Sequence, residues 1–317
     1  MFVIKHPPKI IFGKNSVKEF NFPENCLVIT SQGAASRNWL NNLDVDNLYL
    51  FDKVEPNPSI ETAQKIISIF QHHSISSVIG IGGGSSLDVA KFVGRELNKN
   101  KIMIPTTFGS GSEVTRISVL KVNNKKQSFH DDKLISDVAI VDPIFLENTP
   151  FSILKNSAID ACAQCSEAHD SKNSNLYTKF FCKKAFDVLE DALLNKKYEN
   201  LPYGSLLTGI GFGNSSTTLG HALSYVYSNE GISHGHALSF TTTVAHRFNN
   251  SEFYSRFKKI VTLLDLPQIS LNETIENASN LILQDRKHLD NNPKPISKND
   301  IKFLLNLINS GKTFEDF

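Results

Sequence analysis

A short strand, a glycine-rich turn and a helix follow one another in SSVIGIGGGSSLDVAKFVGREL, and this succession limits the possible folds more than any other stretch. Residues 78–81 predict a strand, residues 82–85 the turn, and residues 86–97 a helix. Glycine lets the backbone approach a pyrophosphate closely, and a helix N-terminus offers unpaired N–H groups and a positive dipole end. Tight packing alone would also favour such a turn, and Ser85 occupies the third glycine position of GxGxxG.

Further apolar runs bounded by turn residues predict buried strands, at residues 26–33, 48–54, 102–104 and 138–143. Residues 60–73 carry apolar side chains at helical spacing, and an alternating pattern that leads into KKQSF predicts a hairpin. Strands that alternate with helices indicate a parallel α/β sheet of the Rossmann-like type.

The pattern changes after about residue 142, and from Ser152 onward the apolar spacing is helical. Ser297 is the expected N-cap of the last helix. A chain of 317 residues is long enough for two domains. We therefore predict an α/β domain at residues 1–147 and an all-helical domain at residues 148–317.

Three of the ten histidines lie in the mainly apolar stretch TTLGHALSYVYSNEGISHGHA. His221 precedes Tyr225 by one helical turn, and His234 and His236 follow a glycine-containing loop, so two imidazoles can converge on one point. Two imidazoles suggest a divalent metal that needs a further donor, for which Asp160 is the best candidate. A hydrogen-bonded core histidine and a helix cap are the alternatives from spacing alone.

The charge balance argues against nucleic acid or an anionic membrane as partner, since 33 Lys and Arg face 32 Asp and Glu. Four scattered cysteines do not make a disulfide framework, and Cys162 and Cys165 are interpreted as small apolar residues on one helix face. No secretory signal and no run of roughly 20 apolar residues is present, so we expect a cytoplasmic protein.

The loop after the strand at 102–104 is rich in hydroxyl groups, from Thr106, Thr107, Ser110 and Ser112. These groups could hydrogen-bond a ribose, a nicotinamide amide or a phosphate. A solvated loop with local side-chain-to-backbone bonds is the alternative.

Several ordered motifs together resemble the iron-containing (group III) alcohol dehydrogenases, whose fold is related to dehydroquinate synthase: KIIFG, EPNPS, GGGSSLDVAK, IPTTFGSGSEVT, KKQSF, VAIVDP, IDACAQCSEA, GHALSY and ISHGHA. The resemblance implies that the glycine turn holds the cofactor pyrophosphate. The residues expected near the cofactor are Gly83, Gly84, Ser85, Asp88, Thr106, Thr107, Ser110 and Lys126.

The resemblance also implies a metal site. The family's aspartate and two later histidines match Asp160, His221 and His234, but Gln164 stands where the family has a histidine. Gln164 is then a distant fourth ligand or is replaced by water. Fe²⁺ is the expected ion, with Zn²⁺ as an option. Tyr225 replaces another family histidine, so proton delivery is expected through Tyr225, His236 or water.

These departures resemble the branch that contains phosphonoacetaldehyde reductases. A phosphonate requires cationic or backbone donors, and Arg116, Lys155 and Arg247 are the candidates. Ser31 stands where NAD-using members carry an aspartate, and a serine does not repel a 2′-phosphate, so NADPH is favoured while NADH stays compatible.

The expected function is metal-dependent, NAD(P)H-linked reduction of a small aldehyde to a primary alcohol, with phosphonoacetaldehyde as the specific candidate. The alternatives are a reductase of another small aldehyde or semialdehyde, a polyol phosphate dehydrogenase of the same fold, and a non-catalytic nucleotide-binding protein with a decayed metal site. The sequence leaves the oligomeric state open, with a homodimer as one option.

Overall fold

The computed structural model describes residues 1–123 and 125–311. The chain divides into two compact units, one of which comprises Val3–Phe151 while the other begins at Ser152. No helix in the described part of the chain is long and apolar enough to cross a membrane. The functional roles assigned above to the two parts of the chain stay predictions.

The first unit is an α/β layer structure. Its described strands and α-helices are β1 (Lys9–Phe12), β2 (Cys26–Ile29), α1 (Gln32–Ser36), β3 (Tyr49–Phe51), α2 (Ile60–Phe70), β4 (Ser77–Gly82), α3 (Gly84–Glu96), β5 (Asn100–Pro105), β6 (Ile117–Val122), β7 (Lys125–His130) and β8 (Val138–Val141). Six strands form one parallel sheet in the order β1-β8-β5-β4-β2-β3. The predicted parallel sheet is confirmed, and β6 and β7 form the predicted antiparallel hairpin.

The direction of strand addition reverses between β2 and β4. The chain runs from β2 outward to β3, then returns to the other side of β2 and continues through β5 and β8. Parallel sheets of this kind bind ligands at the carboxyl ends of the strands where the order reverses. The glycine turn follows β4 directly, so it lies at that point of the sheet.

The predicted limits of two helices were wrong. The helix after the glycine turn begins at Gly84 rather than at residue 86, because Gly83 takes the extended N-cap conformation. The helix that follows EPNPS ends at Phe70 rather than at residue 73. Ser85 therefore lies inside the first turn of α3 and not in the loop.

The second unit is helical throughout its described secondary structure. Its α-helices are α4 (Phe151–Asp170), α5 (Leu176–Leu194), α6 (Leu201–Phe212), α7 (Leu219–Asn229), α8 (His234–Asn249), α9 (Tyr254–Leu264), α10 (Ile275–Leu283), α11 (Arg286–Asn291) and α12 (Lys298–Ser310). Apolar side chains from α7, α8, α10, α11 and α12 form one core cluster. The predicted N-cap is confirmed, since Ser297 and Asp300 form a capping box at the start of α12.

The cysteines behave as apolar core residues. Cys162 and Cys165 are both buried in α4 and free. Burial raises the pKa of both thiols, that of Cys165 to about 12. The interpretation of this pair as structural is supported, because a thiol held neutral is a poor nucleophile and a poor metal ligand.

Candidate functional site

The loop that follows β5 packs closely against the glycine turn. A Cβ atom added to Gly83 would lie 3.1 Å from Oγ1 of Thr107, and one added to Gly84 would lie 2.8 Å from Cβ and Oγ of Ser110. Backbone and loop approach closely here, which explains why side chains are absent from these two positions. The structure thus brings together four of the residues predicted for the cofactor.

A side-chain hydrogen bond joins the ends of β2 and β4 next to this turn. Thr30, the residue after β2, donates its hydroxyl to the carbonyl of Ile81 over 2.6 Å. Ser31 follows and caps α1, because its Oγ accepts from the N–H of Ala34. Arg37 donates to the carbonyl oxygen of Gly33 over 2.7 Å, and a Cβ on Gly33 would lie 3.2 Å from that guanidinium and 3.9 Å from Oγ of Ser31. A cation therefore accompanies Ser31 at the carboxyl end of β2.

Asp88 is engaged within the protein. Its Oδ1 accepts from the hydroxyl of Ser112 over 2.6 Å and lies 3.4 Å from Nζ of Lys91, while its Oδ2 accepts from the N–H of Val119 over 3.0 Å. Burial raises the pKa of Asp88 and lowers that of Lys91, although each charge opposes the shift of the other. Asp88 therefore holds the loop and the hairpin against α3, and a direct cofactor contact stays a prediction.

Two other residues predicted for the cofactor, Thr106 and Lys126, lie on different elements of the α/β unit. Thr106 lies at the end of β5, donates its N–H to the carbonyl of Gly82 over 2.9 Å, and has a buried Oγ1 without a hydrogen-bond partner. A buried hydroxyl of this kind suits a ligand. Lys126 lies in β7 opposite Lys121, on the hairpin, and its contact with a cofactor stays a prediction.

In the helical unit, Asp160 of α4, His221 of α7 and His234 of α8 converge. Nε2 of each imidazole lies 3.8 Å from Oδ1 of Asp160. Nε2 of His221 is buried and has no hydrogen-bond partner. Leaving such a nitrogen unpaired costs about 1–3 kcal/mol, so these three donors fit a divalent cation with nitrogen and carboxylate ligands.

A glycine allows His234 to reach the cluster. The first turn of α8 lies so close to α4 that a Cβ on Gly235 would be 2.0 Å from the carbonyl oxygen of Asn156. Asn156 lies one helical turn before Asp160, so this close approach brings the start of α8 beside the carboxylate. Gly235 therefore permits the close packing that positions His234 beside Asp160.

Gln164 extends the cluster by one oxygen. Its Nε2 donates to Oδ1 of Asp160 over 2.9 Å, and its Oε1 is buried without a hydrogen-bond partner. An amide oxygen next to a carboxylate adds a second oxygen donor to the two imidazoles. The expectation that Gln164 stands near the metal ligands is consistent with this position, and ligation itself stays a prediction.

Glu167 was not singled out from the sequence. It is 1% exposed and contacts Nδ1 of His221, the N–H of Gly220 and the hydroxyl of Thr218, the last over 3.0 Å. Burial opposes its ionisation, but His221, His246 and the hydroxyl of Thr218 together outweigh burial and lower the pKa of Glu167. Burial likewise opposes protonation of His221, yet the carboxylates of Glu167 and Asp160 raise its pKa to about 9. The two carboxylates therefore stabilise positive charge at this position, either as a second proton on His221 or as a bound cation in place of that proton.

Aromatic rings surround the cluster on one side. The ring of Tyr225 stacks against His234 with centroids 6.2 Å apart and meets His288 at 5.6 Å. His288, also missed from the sequence, lies 6.3 Å from His221 and is held by Asp285 through a 2.7 Å contact at Nδ1. No local sequence signal marks His288, because α11 reaches the site only through tertiary packing.

The side chain of His236 makes different contacts from that of its neighbour His234. Its Nε2 lies 2.6 Å from the carbonyl oxygen of Pro267, and its ring packs against Phe240. Within the described ranges no contact joins His236 to the three-residue cluster. The geometry thus favours Tyr225 over His236 for a proton-delivering role, which stays a prediction.

Each of the three cations predicted for a phosphonate has a partner within its own unit. Arg116 pairs with Asp132 over 2.9 Å, and Lys155 donates to the carbonyl of Leu264 over 3.1 Å. Arg247 lies over the ring of Tyr254, with 5.5 Å between its Cζ and the ring centroid. Their role in binding a phosphonate stays a prediction.

Two family profiles match the chain. "Iron-containing alcohol dehydrogenase" matches residues 7–143, and "Fe-containing alcohol dehydrogenase family, C-terminal" matches residues 155–290. Together these matches cover most of the chain and show that it belongs to the iron-containing alcohol dehydrogenase family. The resemblance seen in the sequence motifs is confirmed at this level.

Curated relatives include the 4-hydroxybutyrate dehydrogenase of Clostridium kluyveri, which is 32% identical over 209 residues, covering 57% of this chain and 56% of that protein. Long-chain-alcohol dehydrogenase 1 of Geobacillus thermodenitrificans is 32% identical over 220 residues, covering 60% and 55%. The chain thus spans little more than half the length of these two relatives.

Solved structures share the fold. The iron-containing alcohol dehydrogenase from Thermococcus thioreducens superposes with a TM-score of 0.89 at 21% identity, covering 98% of this chain and 100% of that one. Sulfoacetaldehyde reductase from Bifidobacterium kashiwanohense, in complex with NAD⁺, gives a TM-score of 0.86 at 22% identity, covering 98% and 99%. The predicted fold class is confirmed.

Proposed function

We propose that this protein reduces a small aldehyde to a primary alcohol with NAD(P)H in a metal-dependent reaction. The observation that carries the proposal is the convergence of Asp160, His221 and His234 on one point, with Nε2 of His221 buried and without a hydrogen-bond partner. Membership of the iron-containing alcohol dehydrogenase family supports the same reaction class.

In this proposal residues 1–147 bind the dinucleotide and residues 148–317 hold the metal and the substrate. The N-terminus of α3 and the backbone at Gly83 and Gly84 receive the pyrophosphate, with Thr107 and Ser110 beside them. Asp160, His221 and His234 hold a divalent ion, Fe²⁺ or Zn²⁺. When bound, that ion supplies Lewis-acid polarisation of a carbonyl oxygen.

The protein's own residues orient the reaction partners and handle the proton. His221 and His234 orient their Nε2 atoms toward Asp160, and Tyr225, stacked on His234, is the proposed proton donor to the alcohol oxygen. The hydride chemistry belongs to the nicotinamide. His221 is buried, and the low local dielectric around it strengthens its electrostatic contacts.

NADPH is the proposed cofactor rather than NADH. Ser31 places no carboxylate at the end of β2, and Arg37 lies on the same turn. An arginine near this strand end accommodates a 2′-phosphate, whereas an aspartate would bind the free ribose hydroxyls. The name of one relative, the NADPH-dependent butanol dehydrogenase of Clostridium saccharobutylicum, is compatible with this preference.

The proposed substrate is an aldehyde that carries an acidic group, with phosphonoacetaldehyde as the specific candidate. The names of two similar proteins, 4-hydroxybutyrate dehydrogenase and sulfoacetaldehyde reductase, contain acidic compounds. Lys287 joins Arg116, Lys155 and Arg247 as a candidate cation for this acidic group. It precedes His288 in α11, and burial around its ammonium lowers its pKa to about 8.

The test is NADPH oxidation by protein reconstituted with Fe²⁺, Zn²⁺ or Mn²⁺, with phosphonoacetaldehyde beside uncharged propanal. A strong preference for the phosphonate supports both the reaction and the substrate. Equal modest rates retain the reaction and discard the acidic substrate. NADPH binding without oxidation by any metal form would contradict the reductase proposal and favour a non-catalytic nucleotide-binding protein.

A further inference from the structure

Glu167 stands behind the metal cluster and belongs to the same helix as Asp160. Residues 160, 164 and 167 share one face of α4, since their spacing of four and three residues is close to one helical turn each. The carboxylate of Glu167 points at α7, where it contacts the Nδ1 side of the His221 ring. It therefore links the helix that carries the aspartate to the helix that carries His221.

The contact between Glu167 and His221 decides which imidazole nitrogen faces the cluster. Oε2 of Glu167 meets Nδ1 of His221, and a carboxylate can only accept a hydrogen bond, so Nδ1 carries a proton. Nε2 then lies on the other side of the ring, 3.8 Å from Oδ1 of Asp160. A ring protonated at Nε2 alone, with Nε2 still facing Asp160, would present no lone pair to a cation.

The same carboxylate also fixes the start of α7. Its Oε1 accepts from the N–H of Gly220 and from the hydroxyl of Thr218. A Cβ on Gly220 would lie 2.7 Å from Oε1 of Glu167 and 2.9 Å from Cα of Thr242. The helix start thus approaches α4 and α8 so closely that the side chain of His221 has little freedom to shift.

We propose that Glu167 is the positioning residue of the metal site: it holds the proton on Nδ1 of His221 and so keeps Nε2 available to the metal. Carboxylates behind metal-bound histidines commonly raise metal affinity by roughly 10–100-fold. The dependence should be strong in this chain, because Gln164 leaves only two imidazoles in the cluster. The inference rests on the proposed metal-dependent function, but its test requires neither substrate nor cofactor.

The test compares the native chain with Glu167→Gln and with Thr218→Val as a matched control. Thr218→Val removes one hydrogen bond to the same carboxylate and leaves the contact with His221 in place. Zn²⁺ affinity is measured by chelator competition, and the ring nitrogens of His221 are observed by ¹⁵N NMR of the Zn²⁺-loaded protein.

The native protein should show a protonated, solvent-protected Nδ1 and a metal-bound Nε2 at His221. Glu167→Gln should weaken Zn²⁺ binding roughly 10–100-fold and shift or broaden the Nδ1–H resonance. Thr218→Val should change neither by more than about threefold, since the contact with His221 is retained. Unchanged affinity and an unchanged Nδ1–H resonance in Glu167→Gln would overturn the proposal.

Glu167→Asp keeps the proposal testable if Glu167→Gln does not fold. The shorter side chain retains the negative charge but withdraws it from His221, so Zn²⁺ affinity should fall to a value between those of the native chain and Glu167→Gln. A variant as tight as the native chain would count against a positioning role. Zn²⁺ affinity and the ring resonances of His221 are measured without substrate or cofactor. A failure to reduce aldehydes would therefore contradict the proposed function but not this positioning role.

Discussion

Gln164 donates a hydrogen bond from Nε2 to Oδ1 of Asp160 over 2.9 Å, one turn earlier in the same helix. The other end of the amide, Oε1, is buried and has no hydrogen-bond partner. One oxygen of the candidate ligand carboxylate is thus oriented by the residue that stands where related chains are expected to supply an imidazole. The amide stabilises the aspartate and offers the site a harder, weaker donor.

Replacing this amide with an imidazole should tighten metal binding. In Gln164→His a third imidazole joins His221 and His234, and imidazole is a better ligand for Zn²⁺ than an amide oxygen. We expect at least a tenfold gain in Zn²⁺ affinity by chelator competition, which corresponds to about 1.4 kcal/mol. Gln164→Ala should lose affinity, and a gain in that control would show that the amide merely obstructs the site.

Asp160 is predicted to be indispensable for the metal. Asp160→Ala removes the carboxylate that lies 3.8 Å from Nε2 of both His221 and His234. Bound metal, measured by elemental analysis after dialysis, should fall from stoichiometric to near zero, and turnover should fall with it. Asp160→Asn, of equal size and without charge, should also lose metal. Full turnover with bound metal in Asp160→Ala would remove Asp160 from the ligand set.

The glycine turn should tolerate no side chain at Gly84. In Gly84→Ala the new Cβ would lie 2.8 Å from Ser110, so the loop must move away from the turn. We expect NADPH affinity, measured by fluorescence titration, to fall at least tenfold, or about 1.4 kcal/mol. The double variant Gly84→Ala, Ser110→Gly removes the clashing atoms and should recover most of the affinity. Failure of this rescue would assign the loss to α3 and not to the loop.

The fold could be predicted from the sequence because the patterns that indicate strands, turns and helices are local. Buried strands, the glycine turn and helical spacing are properties of consecutive residues, so the parallel sheet and the helical unit were predictable. Asp160, His221 and His234 were found because residue type and motif resemblance agreed. Glu167 could have been found as well, since it follows Asp160 by seven residues on the same helical face.

Other parts of the site depend on contacts that residue types do not reveal. His288 reaches the cluster from a short helix whose position is set by packing in the core of the helical unit. His236 is two residues from His234, yet the helical rotation turns it toward Pro267. Asp88, predicted near the cofactor, accepts hydrogen bonds from Ser112 and Val119, and its contact with a cofactor stays a prediction. In each case the direction in which the side chain leaves its helix determines what it contacts, and tertiary packing sets that direction.

Cofactor preference should depend on the carboxyl end of β2. Ser31→Asp places a carboxylate where the proposal puts the 2′-phosphate, and repulsion should shift the affinity ratio from NADPH toward NADH by at least tenfold. Arg37→Ala should weaken NADPH binding and leave NADH binding nearly unchanged, because only NADPH carries the phosphate. Both ratios are obtained from binding titrations. Equal losses for the two cofactors in Arg37→Ala would indicate a structural role for its bond to Gly33.

Glu113 should make the α/β unit less stable as the pH rises. Its side chain is buried beside Lys91, and burial raises its pKa from 4.5 to about 7 despite that cation. Between these two values the unfolded chain has released the proton while the folded chain retains it, so the unfolding free energy falls as the pH rises. The loss amounts to about 3 kcal/mol and levels off above pH 7. Glu113→Gln cannot ionise and should lack this loss.

The two chains should therefore unfold at similar urea concentrations near pH 4.5, and the variant should be the more stable one at pH 8. Fluorescence of Trp39, the single tryptophan, reports on this unit because the residue is buried there against Phe145. Other carboxylates titrate in the same range, so the decisive quantity is the difference between the two chains at each pH. A difference that stays constant from pH 4.5 to pH 8 would mean that Glu113 is ionised in the folded protein throughout, with Lys91 as its permanent counter-ion.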